Sequence, residues 1–138
     1  MVMLNTLYHK VGVGVALVNH EGKLLLGKRL SRHGYGTWAC PGGNLEKRET
    51  PEVCAIREVK EETGLTISIV AKLPYVFTYF EHGNIHRTLF VIAKCFSGLP
   101  EAKEPNKCKE WLWFHKESLP SPLFPPVISL LSSGRLNF

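Results

Sequence analysis

The stretch GNLEKRETPEVCAIREVKEETGL, residues 43–65, decides how this chain is read. Thr50 followed by Pro51 marks a helix start: a hydroxyl that accepts a backbone N–H, then a proline whose missing N–H costs nothing in a first turn. Gly64 ahead of Leu65 marks the stop, because glycine takes the left-handed conformation of a helix C-cap cheaply. The spacing predicts a helix over 51–63. At ~100° per residue, Val53, Ala55, Ile56 and Val59 form one apolar arc, with Glu58, Glu61 and Glu62 in a compact arc beside it. At ~5.5 Å and an effective dielectric near 20, each pair of full charges there repels by roughly 3 kcal/mol, so a positive partner is expected.

Outward from this helix, Val11 to Asn19 and Leu24 to Leu30 read as a β-hairpin around His20-Glu21-Gly22-Lys23. Ser31 to Gly36 is a loop, and Thr37 to Cys40 is a short strand closed by Pro41-Gly42-Gly43. Beyond the helix, strands are expected at Leu65 to Leu73, Tyr75 to Glu81, Thr88 to Phe96 and Trp111 to His115. They are separated by Pro74, a His82-Gly83-Asn84 turn and the polar stretch Ser97 to Lys109. Pro126 or Val127 to Leu131 begins a final helix. This order predicts an α+β fold, a mixed β-sheet flanked by helices.

A chain of 138 residues fits one domain, 1–138, with a core of its own. Cys40, Cys54, Cys95 and Cys108 form no CxxC pair and suit reduced thiols in a cytoplasmic protein. Met1 to Lys10 lacks the basic start and apolar run of a secretory leader, and no apolar run approaches the ~20 residues of a membrane helix. The net charge of +5 suits an anionic partner. All twelve acidic residues are glutamates, and six fall between Glu46 and Glu62, which excludes mechanisms built on an aspartate. On its own, E-x-x-E-E reads as a solvated helix face. A diglycine turn leading into the helix, Glu46 and Glu49 in the intervening loop, and Arg57 immediately before the cluster point instead to a hard cation such as Mg²⁺.

Gly43, Glu49 and the run Arg57-Glu58-Val59-Lys60-Glu61-Glu62-Thr63-Gly64-Leu65 resemble the Nudix hydrolase signature without departure, at nine specified positions across 23 residues. Trp38-Ala39-Cys40-Pro41-Gly42-Gly43 is similar to the segment that precedes it in that family. The resemblance implies an α/β/α sandwich and Mg²⁺, with Mn²⁺ as substitute, held by Glu58 and Glu62, with Glu61 assisting and the Gly42 carbonyl completing the shell. It implies that Arg57 orients the cluster through Glu49. A base from Glu58, Glu61 or a more distant glutamate, for which Glu104 is the candidate, activates water. Arg29 matches a family position that contacts phosphate.

Glu104 to Cys108, Trp111 to Trp113 and Leu119 to Phe124 resemble a branch of small plant and animal nucleotide pyrophosphohydrolases, commonly homodimers. That resemblance implies a (deoxy)nucleoside triphosphate substrate, oxidised forms included. NADH, dihydroneopterin triphosphate and isoprenoid diphosphates are the alternatives. Phe124 reads equally as a base-stacking or a core residue; Pro125 stands where relatives carry an aromatic. Trp38 and Trp111 read as core. His82 and His86 flank a turn and so do not read as a zinc pair, and His33 reads as a phosphate contact or a solvated side chain. A nucleic-acid-binding module on the same fold is the competing class, disfavoured by the intact glutamates.

Overall fold

The computed structural model describes residues 11–95 and 98–138. The reading of Met1 to Lys10 and the placements of Phe96 and Ser97 lie outside them. The strands are β1 (Val11–Asn19), β2 (Leu24–Arg29), β3 (Trp38–Ala39), β4 (Gly42–Asn44), β5 (Ser68–Glu81), β6 (Asn84–Cys95) and β7 (Cys108–Phe114). Helix α1 spans Pro51–Thr63 and α2 spans Pro125–Ser132, with a short 3-10 turn at Lys116–Ser118.

The sheet runs β3-β2-β1-β6-β5, with β4 on β1 and β7 on β2. β1 is parallel to β6 and every other pairing is antiparallel, so the sheet is mixed. β1 is central and buried on both faces, which is why VGVGVALVN is apolar almost throughout rather than alternating. One face packs Val13, Val15, Leu17, Leu25 and Val91 against Cys54, Ala55 and Val59 of α1. The other packs Ala16, Leu24, Leu26 and Phe90 against Val127 and Leu130 of α2. The result is the expected α/β/α layering. No helix among the described residues is long and apolar enough to cross a membrane.

α1 forms where its caps place it. Thr50 Oγ1 accepts the Val53 N–H at 3.2 Å, and Gly64, at φ +79°, donates its N–H to the Lys60 carbonyl. The expected apolar arc is corrected: Val53 and Ile56 are exposed, and the buried face is Cys54, Ala55, Val59 and Thr63. The covered stripe is rotated toward Glu58 and Glu62, which turns both carboxylates inward.

Three strand expectations are also corrected. β5 is one strand across Pro74, beginning at Ser68 rather than Leu65, with bulges at Ile69/Ala71 and Lys72/Val76. It is an edge strand, so proline's missing N–H breaks no ladder. β6 begins at Asn84, and a two-residue turn with positive φ at His82 and Gly83 joins it to β5. β4 was not expected at all, because Gly-Gly-Asn has little strand propensity; its pairing with β1 makes it a strand.

β1 and β2 pair at their hairpin end, Val18↔Leu24, and then diverge, β1 toward β4 and β2 toward β3 and β7. A cavity of about 630 Å³ opens in this fork, lined by Gly12, Gly14, Gly27, Gly42 and Gly43 among others.

Leu130, fully buried, is the anchor of α2 on its face of the sheet. Leu130→Ala is expected to cost about 2–5 kcal/mol, read as a lower urea midpoint with an unchanged slope.

Candidate active site

α1 presents its glutamate edge to the β4 glycines. Gly42 donates its N–H to Glu62 Oε1 at 2.9 Å. The Val15 N–H···Pro41 carbonyl and Leu45 N–H···Val11 carbonyl bonds fix Val13–Gly43 as the hydrogen-bonded pair of the β1–β4 ladder. In an extended strand a residue's N–H and C=O point the same way, so the Gly42 carbonyl also faces away from β1. Gly42 must be glycine: its φ is +157°, and a Cβ there would fall 2.0 Å from the Val13 carbonyl oxygen. A Cβ on Gly43 would fall 2.5 Å from Glu58 Cδ. The diglycine therefore cradles the carboxylates.

Arg57 organises the rest. Its Nε and Nη2 grip Glu49 at 2.7 and 2.9 Å, a bidentate fork, while Nη1 donates to Glu58 at 2.7 Å and Glu61 at 3.3 Å. Glu46 lies 3.7 Å from the same Nη1. The Glu49 side chain is only 8% exposed and that of Arg57 24%, so this is a largely desolvated pair. The guanidinium holds Glu49 down to about 2.

Glu58 and Glu62 line the same cavity and each feels the other's charge. Burial and the neighbouring Glu58 push Glu62 up to about 8, against the Gly42 N–H that favours its charge; burial likewise raises Glu58. Glu104 adds to the negative field on Glu62. Its loop is tied to the end of α1, where Glu101 and Lys103 donate their N–H groups to the Thr63 and Glu62 carbonyls at 2.9 and 3.1 Å. Orphan carbonyls at the helix end thus bring a distant glutamate to the cavity.

These residues fit a hard divalent cation: anionic oxygens pressed together, a backbone carbonyl on the same side, and a glycine cradle with no room for a side chain. Among the described residues no three His, Cys or Glu side chains converge on one point. Glu61, with its side chain 52% exposed, turns to Arg57 rather than into the pair.

Arg29 lines the cavity with its guanidinium 4.6 Å from the centre of the Phe124 ring. Phe124 is buried and N-terminal to α2, with Pro125 in the first helical turn. Trp111 is buried and Trp38 half-buried against the α2-side core. The sequence reading did not identify Tyr79, Glu81 or Lys107, and it weighed His86 only as a zinc ligand. Tyr79, Lys107 and His86 line the cavity, and Glu81 lies behind its rim. A two-residue turn at His82-Gly83 would have placed Tyr79 opposite His86, as the register shows.

The NUDIX domain matches residues 8–130. A protein named RNA pyrophosphohydrolase from Erythrobacter litoralis is 28% identical over 131 residues, 81% of this chain and 79% of that protein. Other relatives with that name are spanned over only 34% and 50% of their length. An 8-oxo-dGTP diphosphatase from Proteus vulgaris is 31% identical over 67% of this chain and 83% of its own. The crystal structure of a MutT NUDIX hydrolase from Burkholderia pseudomallei aligns with a TM-score of 0.73 at 30% identity, covering 89% of this chain and 95% of that one. The capped helix, its diglycine cradle and its paired glutamates thus sit in a chain that belongs to the NUDIX domain family and is a Nudix hydrolase.

Proposed function

We propose that this chain is a magnesium-dependent pyrophosphohydrolase that cleaves a phosphoanhydride bond in a (deoxy)nucleoside triphosphate, oxidised forms included, or in a related nucleoside-diphosphate-linked metabolite. The observation that carries this reading is the Glu58–Glu62 pair, two carboxylates that line one cavity beside the Gly42–Gly43 backbone. Nudix hydrolases in general use divalent metals. Glu58, Glu62 and the Gly42 carbonyl would hold the ion, with Glu61 in support, and manganese would substitute. When bound, the cation supplies neutralisation of the anhydride oxygens and a lowered pKa for water.

The protein's own part is positioning and proton transfer. Arg57 fixes Glu58 while its grip on Glu49 anchors the loop behind it. Glu58 and Glu61 are the proposed catalytic carboxylates that accept the proton of the attacking water, and Glu104 is the distal candidate in the same cavity. Arg29 would bind the phosphates, and Phe124 would form the apolar wall behind it. The name of the Erythrobacter relative adds the 5′ end of RNA to the substrates worth assaying. A module that only binds polyanions would gain nothing from two carboxylates buried in its cavity, which counts against that alternative.

The pair makes a prediction about stability that needs no substrate. A carboxyl whose folded pKa is raised stabilises the fold while protonated, and that contribution is lost as pH climbs from the ordinary carboxylate range through about 8. In chelator, thermal unfolding should therefore shift down between pH 6 and pH 9, and magnesium should remove most of the shift. A pH-independent Tm in chelator would count against the pair. On the acid side the sign reverses: the depressed Glu49 contributes stability that is lost as pH falls from its ordinary value toward about 2.

Kinetics separate ligand from scaffold. Glu62→Gln should raise Tm in chelator at pH 9 and yet lower kcat by orders of magnitude at saturating magnesium. Arg57→Ala leaves the half-buried Glu49 without its partner, so it should cost about 1–3 kcal/mol of stability as well as activity. Near-wild-type kcat in Glu62→Gln would return the glutamate edge to ordinary helix surface.

A further inference from the structure

The far end of the cavity is built from segments distant in sequence. The loop of residues 31–36 carries His33 and Gly34, β5 brings Tyr79 and Glu81, and β6 brings His86. Glu81 Oε1 accepts the Gly34 N–H at 2.9 Å, across 47 residues of chain, and its other oxygen lies 3.5 Å from His33 Nδ1. The His33 ring stacks on His86 with centroids 4.0 Å apart, and its Nε2 is hydrogen-bonded to the Tyr79 hydroxyl. These contacts fasten the loop to the β5–β6 hairpin.

What the loop holds in turn is Arg29. The His33 carbonyl accepts from Arg29 Nε at 2.7 Å. Gly34 sits so close that a Cβ would fall 2.5 Å from Phe124 Cε1 and 3.1 Å from Arg29 Cδ, and its φ of +68° is one that glycine tolerates best. Nε is tied to a carbonyl and the guanidinium lies over Phe124, so its plane is set. Among the described residues the Arg29 side chain meets that carbonyl and that ring, which leaves the terminal nitrogens to present a fork to an anion.

We propose that Glu81 is a positioning residue: by latching loop 31–36 to the hairpin it aims Arg29, through His33, at the phosphates of the substrate. The inference rests on the reading of Arg29 as a phosphate contact. Glu81 touches neither substrate nor the reacting atoms; its effect is on the orientation of a cation that would otherwise sweep many rotamers, so binding is where it should be felt.

The test uses the full chain with magnesium pyrophosphate as probe in calorimetry, together with the ¹⁵N–Hε resonance of Arg29, assigned by its disappearance in Arg29→Lys. Glu81→Ala should expose that proton to fast exchange and weaken pyrophosphate binding by about tenfold, equivalent to one charge-assisted hydrogen bond. Glu81→Gln keeps an acceptor for Gly34, so it should retain the protected resonance and bind within about twofold of wild type. Because Glu81 acts through Arg29, the double variant with Arg29→Ala should bind no more weakly than Arg29→Ala alone. A protected resonance and wild-type affinity in Glu81→Ala overturn the proposal. So do additive losses in the double variant when Arg29→Ala by itself weakens binding, and in that case the phosphate role of Arg29 survives. Wild-type affinity in Arg29→Ala overturns both.

Discussion

One guanidinium spans the glutamates of this site. Arg57 binds Glu49 through two nitrogens and reaches Glu58 and Glu61 with the third, so a single buried-side contact ties the loop after β4 to the carboxylate edge of α1. Without it, a largely desolvated Glu49 would have no cation, and Glu58 would lose the contact that fixes its rotamer. The cradle depends on the same geometry, since Gly43 leaves only enough room for Glu58 as Arg57 holds it. Like charges are therefore assembled in two tiers. Glu49 is satisfied by the protein, while burial raises the carboxyls of Glu58 and Glu62, which both line the cavity.

Much of this was legible in the chain because local rules decide it. The Thr50-Pro51 start and Gly64 stop of α1 depend on capping chemistry within a few residues, and the structure places the helix at the expected bounds. The layered fold followed from the order of elements. Which side of α1 would be covered did not follow, because Val53 and Ile56 are apolar yet exposed; the sheet meets the helix on the Cys54–Ala55–Val59 side, and small residues there let it approach closely. β4 was invisible because its residues have no preference for a strand, and it exists only through β1. Pro74 looked like a break, but edge placement and bulges absorb it.

The far end of the cavity was the least legible part. His33, Tyr79, Glu81 and His86 carry no motif, and they meet only because the hairpin register and the fork between β1 and β2 bring them to one loop. Arg29 was identified by family resemblance alone, whereas the structure adds what surrounds it: Phe124 beneath and the His33 carbonyl behind. Phe124 is at once a core residue of the α2 face and a wall of the site.

If the Glu58–Glu62 pair holds the proposed cation, filling it should displace the proton that the raised Glu62 carboxyl carries near neutral pH. Calorimetric titration of the metal-free chain with magnesium, repeated in buffers of different ionisation enthalpy, counts that proton directly. With Glu62 at about 8, close to one proton should be released per ion at pH 7, falling toward none by pH 9. Saturable binding at pH 7 with no proton released would contradict it, as would proton release that persists unchanged in Glu62→Gln.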